Sequence, residues 1–566
     1  MRLDGGDRPY EPNPRYAAIG SSVQTGWSAA VEQVEDATGT LAVDGPWSLD
    51  WERVRTDLAA ALPGAELIDV RTYLAPWETI RERTDADVLA DDPHFARLTT
   101  ATLADFFGAL PEPAAPAGTR TVVFGPGAGL VGHDTLWYVD LPKRYAEAAV
   151  AAGTGSTIGL PRGEKPGTRR LFYIDWPVLD RHRDALAPRV DRWFDLQDPA
   201  RPVSLSGDAL RATAAELSGR PFRTRPTFNT TPWGGQWARR ELGFNPEGPN
   251  TALGYELIAP ESGVLVGDGD ACLEIPFQLL VALAPERVMG ARVHEMFGTS
   301  FPIRFDYLDT VAGGSLSVHC HPQSDYMREV FGWPYTQHET YYMMVGGEQN
   351  KVYLGLRGDV DVDRFHDDVH HADSEQRPFD IEDHVQTFPA REGQLFLVPA
   401  GTPHGSGAGN VVLEVSATPY LYSLRFYDWL RRDARDRPRA VHVDHAFRNL
   451  NSGRTGEAVR TDLVQSPRTA RSGDGWSDEL LGVLPEMFFA VHRFDVDPGA
   501  TAEDDTDGRF HILNVVDGAG VLVRTASGDI HPLHYAETLV VPAAVGPYTL
   551  TALGSEQVRV VKAFVR

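Results

Sequence analysis

His319 and His321 stand two residues apart at the end of the strand-like run Leu316–His321, after a turn built on Gly313 and Gly314. In an extended chain, residues i and i+2 face the same side, so both imidazoles reach one point in space. Two further ligand-type residues follow in similar surroundings. Glu339 stands third in Q-H-E-T-Y-Y-M-M-V-G-G, with six residues between it and Gly346. His404 closes G-Q-L-F-L-V-P-A-G-T-P-H-G, where Gly393 lies six positions before Pro399 and Gly401 three before His404. Three neutral nitrogen donors and one carboxylate suit Zn, Fe, Mn, Co or Ni and disfavour Mg and Ca. Such a set needs strands and tight turns to close around one ion, which commits the middle of the chain to a β-rich fold.

The surrounding texture agrees. From about residue 223, short β-rich runs are separated by Gly, Pro and Asn turns: FPIRFDYLD, LSVHCH, ETYYMMVGG, KVYLGLR, QLFLVPAG, NVVLEVS and YSLRFYDW. Many short strands with this punctuation predict a sandwich or barrel. A charged, partly helical stretch at 359–385 interrupts it. Residues 456–566 are again β-like, with NVVDGAGVLVR and HYAETLVVPAAVGPYTL. There Pro542 is not followed by Gly-x-x-His, and His511, His531 and His534 do not rebuild the ligand pattern. Outside that pattern, His338, His366, His370, His371 and His384 read as solvated loop residues.

The ligand strings match the paired motifs of the cupin superfamily, G-x5-H-x-H…E-x6-G and G-x5-P-x-G-x2-H. They depart in spacing: Glu339 follows His321 by eighteen positions, and 46 residues separate Gly346 from Gly393. With those spacings, residues 223–566 resemble the type I phosphomannose isomerases. The resemblance runs collinearly through RPTFNTTPWGG, FPIRFDYLDT, LSVHCHPQSDY, QHETYYMMV, EGQLFLVPAGTPHG, VVLEVSATPYLYSLRFYDW and RPRAVHVDHAF. It implies two jelly-roll cupin domains with a helical insertion, and one divalent metal, zinc foremost with Fe²⁺, Mn²⁺ or Co²⁺ as alternatives. It places the ligands at His319 (where the family has Gln), His321, Glu339 and His404. It also implies an aldose–ketose isomerisation of mannose 6-phosphate through a cis-enediol. The resemblance puts an active-site Arg at Arg425. Glu414 is the candidate general base, with a structural pairing to Arg425 as the competing reading. Arg304 stands where the family has Lys, Gln337 replaces the Lys of K-T-E, and Gln323-Ser324 replace an acidic pair. Arg304 and Gln337 are therefore the expected substrate-binding residues, and the replacements leave the sugar open.

Residues 1–222 alternate strand and helix signals: TLAVDG (40–45), WERVRTDLAAALPG (51–64), AELIDVRTYL (65–74), FARLTTATLADFFGAL (95–110), TRTVVFG (119–125) and TLWYVDLP (135–142), with a loop at 111–118. That pattern predicts a parallel α/β sheet. The order faintly resembles P-loop nucleoside kinases such as uridine kinase. A working P-loop needs G-x4-G-K-[ST]; here stands Gly45-Pro-Trp-Ser-Leu-Asp50-Trp51-Glu52, without the second Gly, the Lys or the hydroxyl. The α/β domain thus reads as a degenerate P-loop-like module followed by a metal-binding cupin at 223–455 and a metal-free cupin at 456–566.

Charge narrows the partners. The chain has 53 basic and 79 acidic residues, a net charge of −26, without the basic footprint of a nucleic-acid protein. Only Lys143, Lys165, Lys351 and Lys562 are lysines, so a phosphate grip falls mainly to Arg. No 18-residue apolar stretch predicts a membrane span. MRLDGGDRPYEPNPRY has no apolar leader segment, so the expected compartment is the cytosol. The two cysteines, Cys272 and Cys320, give no disulfide framework. A small sugar phosphate is the expected partner; oligomeric state is not legible. Two other readings stand beside the isomerase: a non-catalytic sugar-phosphate sensor, and a metal-cupin oxygenase or epimerase. An oxygenase requires a redox metal and an isomerase does not.

Overall fold

The computed structural model describes residues 10–566 apart from 33, 35–38, 86, 114–119, 162, 166, 245–247, 270, 434 and 435. The loop expected at 111–118 falls largely outside the described residues. Among the described residues the strands form six sheets.

The first sheet carries the parallel strands Glu66–Asp69, Arg120–Phe124, Gly39–Asp44, Thr135–Asp140 and Arg192–Asp195, side by side in that order. Val203–Ser206 and Gln24–Thr25 extend it antiparallel. Gly39–Asp44 lies at the centre because its run TLAVD is apolar on both faces, as a strand covered on both sides must be. The helix Trp51–Ala61 follows it, buries Trp51, Val54 and Leu58, and is capped by Asp50, which accepts from Arg53 N at 3.0 Å.

The helix expected over 95–110 does not form. Only a 3-10 turn, Leu103–Phe106, appears there, held by reciprocal bonds between Thr102 and Asp105. The backbone of 98–99 is drawn elsewhere: Leu98 N donates to Phe331 O (2.8 Å) and Thr99 N to Tyr173 O (3.1 Å). Helical spacing lost to tertiary hydrogen bonds with two segments distant in sequence, at Tyr173 and Phe331.

Two face-to-face sheets build the middle of the chain. One holds Leu395–Val398, Glu339–Val345, Val411–Ala417, Ile303–Asp309, Leu253–Leu257 and Thr227–Asn229; the other holds Val385–Ala390, Gly347–Leu356, His404–Ser406, Val318–Cys320 and Leu424–Tyr427. The helices Val362–Glu375 and Val443–Asn449 cover the outer face of the second sheet through Phe365, Val369 and Ala446. The C-terminal region repeats the arrangement with a six-stranded and a four-stranded sheet between Arg468 and Val565.

The three regions are not strung loosely. Arg15–Tyr16 pairs in parallel with Gly263–Asp268 of the middle region. One apolar cluster runs from Val123 and Trp193 through Phe277 and Tyr307 to Val540. No helix among the described residues is long and apolar enough to cross a membrane.

Candidate metal centre

Strand alternation builds the centre. Val318 and Cys320 face the outer helices and join their apolar cluster, which turns His319 to the inner face between the two sheets. His404 opens the neighbouring strand directly opposite His319. The turn before it needs its glycine: Gly401 has φ +82°, and a Cβ there would lie 2.6 Å from Asn449 O. Gly401 N also donates to His321 O (2.8 Å), tying this turn to the first histidine pair. Glu339 opens a strand of the facing sheet.

The imidazoles of His319, His321 and His404 bring ligand atoms within 4.8 Å of one another. Each ring is oriented through Nδ1 by a backbone carbonyl: Ser317 O at 3.0 Å, Tyr422 O at 3.2 Å and Thr402 O at 2.9 Å, respectively. Donation from Nδ1 leaves Nε2 as a bare lone pair, the tautomer a metal ligand needs. His321 Nε2 lies 2.8 Å from Glu339 Oε1, and His404 Nε2 lies 3.0 Å from Glu339 Oε2. His321 Nε2, His404 Nε2 and Glu339 Oε2 are all buried without a partner of hydrogen-bond geometry. Lone pairs facing carboxylate oxygens in a dry interior repel unless a cation lies between them. Burial drives His319 well below the ordinary imidazole range, with His404 and His321 adding to it, and lowers His321 as well. The donors are thus neutral nitrogens and one carboxylate, and the residues fit a divalent transition metal.

Around Glu339 lies a second layer. Gln337 Nε2 donates to Glu339 Oε1. Arg304 Nη2 is ion-paired with Glu414 and lies 3.5 Å from Glu339 Oε1. Arg304 Nε donates to Ser416 Oγ (2.5 Å), which donates to Glu414 Oε1 (2.8 Å). Asp306 is 3.6 Å from Arg304 Nε. Burial raises Glu414 well above the carboxylate range and Asp306 to about 6, while the Arg304 charge pulls both down. Among the described residues, Arg304 is the one Arg or Lys ion-paired with these three carboxylates.

Two kinds of similarity to known proteins are found. A family described only as a domain of unknown function (DUF8485) matches residues 26–219. The mannose-6-phosphate isomerase of Streptococcus mutans serotype c is 26% identical over 326 residues, 55% of this chain and 89% of the relative. Mannose-6-phosphate isomerase ManA of Bacillus subtilis is 21% identical over 345 residues, 59% of this chain and 96% of the relative. The crystal structure of the mannose 6-phosphate isomerase from Bacillus subtilis superposes with a TM-score of 0.48 at 21% identity, covering 61% of this chain and 99% of that one. The chain is similar to mannose-6-phosphate isomerases along almost their whole length.

The structure places the remaining sequence-derived residues as follows. Arg304, Gln337 and Glu414 meet at Glu339, so Glu414 pairs with Arg304, not with Arg425 as the competing reading had it. Arg425 lies opposite His319 in the adjacent strand, and its Nη1 donates to Ala440 O (3.1 Å). Burial lowers Arg425 to about 10, and the neighbouring Arg439 adds to this. Two histidines read as solvated are buried: His338 accepts from Ala400 N (3.1 Å), and His384 stacks on Phe365 and meets Asp368 at 2.9 Å. Sequence reasoning passed over Asp306 and Ser416. Both stand two residues from a predicted site residue on the same strand, and that spacing was the available signal.

Proposed function

We propose that the chain is a metal-dependent aldose–ketose isomerase of a phosphorylated sugar, mannose 6-phosphate to fructose 6-phosphate or a close relative. The observation that carries the reading is the orphaned lone-pair cage of His321, His404 and Glu339 set against the Arg304–Glu414–Asp306 cluster. His319, His321, Glu339 and His404 would hold the ion, a zinc-type cation by donor chemistry, and it would supply a Lewis acid for the oxygens on C1 and C2 of the sugar. The reaction removes the proton on C2 of the aldose, moves a hydroxyl proton from O2 to O1, and delivers a proton to C1. A carboxylate facing the sugar edge can carry the carbon-bound proton, and Glu414 is that carboxylate. Arg304, held by Ser416 and Glu414, keeps its own proton and stabilises negative charge developing on the enediol oxygens. Arg425, opposite His319 on the edge strand, is proposed to add a second positive charge beside the developing enediolate. The similarity to mannose-6-phosphate isomerases supports this reading.

The α/β unit is proposed to be a P-loop-like module without phosphoryl transfer. Gly127 N and Gly129 N, the amides that would greet an anion in GPGAGL, donate to the buried Asp44 carboxylate at 3.1 and 2.7 Å. The amino end of the helix Trp51–Ala61 is filled by Asp50.

A panel of hexose and pentose phosphates, incubated with zinc-reconstituted full-length protein and followed by ¹³C NMR, tests the isomerase. Interconversion of at least one aldose–ketose pair is expected. Saturable binding without any turnover would replace the enzyme by a sensor.

A further inference from the structure

We propose that the C-terminal sandwich keeps the ground plan of the metal centre but carries its cation as a side chain. The Lys562 ammonium stands in the ion's place, and its removal opens a site for one divalent transition-metal ion.

Strand register aligns the two sandwiches residue by residue. Glu339 opens its strand opposite Val398, with Pro399 next and Gly346 seven positions on. His511 opens its strand opposite Val541, with Pro542 next and Gly518 seven positions on. Two residues into each strand, Tyr341 faces Glu414 and Leu513 faces Lys562. On the far side of those partners, Asp306 faces Glu414 and His492 faces Lys562. In the other sheet of each sandwich His319 faces His404, and Asp504 faces Tyr548. Period-two alternation from Phe494, Leu513 and Val560 of the second core turns His492, His511 and Lys562 inward. The positions of the carboxylates Glu339, Glu414 and Asp306 are thus held by His511, Lys562 and His492. Those of the imidazoles His319 and His404 are held by Asp504 and Tyr548.

Charge shows why this copy needs no metal as built. Lys562 Nζ lies 2.8 Å from Asp504 Oδ2 and 3.5 Å from Asp478 Oδ2. Arg471 Nη2 reaches both carboxylates at 2.7 Å. Two carboxylates are therefore matched by two fixed cations. Burial opposes ionisation of Asp478, yet His492, Lys562 and Arg471 hold it at about 2. Asp504 is lowered too, by His511 and Lys562 against the same burial. Burial lowers His511, which keeps that imidazole neutral. His492 Nδ1 lies 2.7 Å from Asp478 Oδ1, and His511 Nδ1 3.4 Å from Asp504 Oδ2. Without the ammonium, two ionised carboxylates flanked by two imidazoles surround the vacated space. That donor set suits a zinc-type ion, and an unmatched buried carboxylate favours taking one up.

The test uses full-length protein in the His404→Ala background, so its outcome does not depend on whether the first centre isomerises a sugar. Cobalt per chain is read by elemental analysis after desalting, with the visible absorption of Co²⁺ as the coordination signature. His404→Ala alone is expected to hold no ion. Adding Lys562→Ala should raise this to one ion per chain, with a visible band and a Tm that climbs on adding Co²⁺. Lys562→Arg in the same background keeps a cation in the cluster and should hold none. Lys562→Met, which fills more of the vacated space, gives the same reading if Lys562→Ala does not fold. Folded Lys562→Ala or Lys562→Met protein without a bound ion overturns the proposal. So does an ion that Asp504→Asn leaves in place, or failure of both variants to refold even with Co²⁺ present.

Discussion

Glu414 and Arg425 separate two ways a residue can serve a reaction. Glu414→Gln keeps size and hydrogen bonding but removes the proton acceptor. It should lower kcat by about a hundredfold or more with little change in KM, with metal content unaltered. Full activity would leave Glu414 as a partner of Arg304 alone. Arg425→Ala, a lost cation near developing charge, should also act on kcat by about two orders of magnitude. A change confined to KM would make Arg425 a binding residue. A third residue reports on stability. Asp175 is buried, accepts from Ile158 N (2.9 Å), and is raised by burial to about 7, against the pull of Arg170. The folded state therefore holds a proton that the unfolded state releases near the ordinary carboxyl value. Stability contributed by that proton is present at low pH and is lost as pH rises from about 4 to about 7. Chemical denaturation of Asp175→Asn should show a flatter decline over that window; an unchanged slope would mean that Asp175 is ionised when folded.

Elements show what the sequence could and could not disclose. The ligand strands were legible because period-two alternation and motif glycines are local signals. So were the strands at 39–44, 66–69, 120–124 and 135–140. Arg192–Asp195 was passed over because RWFD is short and carries charged residues; its burial is decided by neighbouring strands. The 95–110 segment misled because its backbone partners lie far along the chain. The C-terminal sandwich hid a different surprise. Lys562, 3% exposed, stands 2.8 Å from Asp504 and 3.5 Å from Asp478, with His511 and His492 against the same two carboxylates. An ammonium thus sits among carboxylates and imidazoles inside the second sandwich, in the kind of surroundings that fit an ion in the first. Lys562→Met should destabilise the protein by roughly 3–5 kcal/mol, because two buried carboxylates lose their nearest buried cation. Thermal unfolding would show it, and an unchanged Tm would mean that Arg471 alone balances the pair. For the α/β sheet, calorimetry with Mg-ATP should give no binding and no hydrolysis, since Asp44 and Asp50 occupy the amides a triphosphate would use. Tight Mg-ATP binding would reverse that assignment.

At the scale of the whole molecule, the α/β unit is built into the half that carries the candidate metal centre. Asp92 meets His445 at 2.6 Å, Tyr173 OH donates to Leu421 O at 3.3 Å, and Arg144 grips Glu274 with two bonds of 2.9 and 2.7 Å. Of these contacts, the Tyr173 bond reaches the segment whose Tyr422 carbonyl orients His321. An isomerase of this kind requires that centre to be both metal-loaded and catalytic. The most direct measurement takes wild type and His404→Ala through elemental analysis and then through NMR with mannose 6-phosphate. Wild type should carry one divalent ion per chain and convert the sugar to fructose 6-phosphate or, failing that sugar, another aldose phosphate to its ketose. His404→Ala should remain folded, lose the ion and lose turnover together. A His404→Ala protein that keeps stoichiometric metal, or keeps turning over without it, would contradict the account.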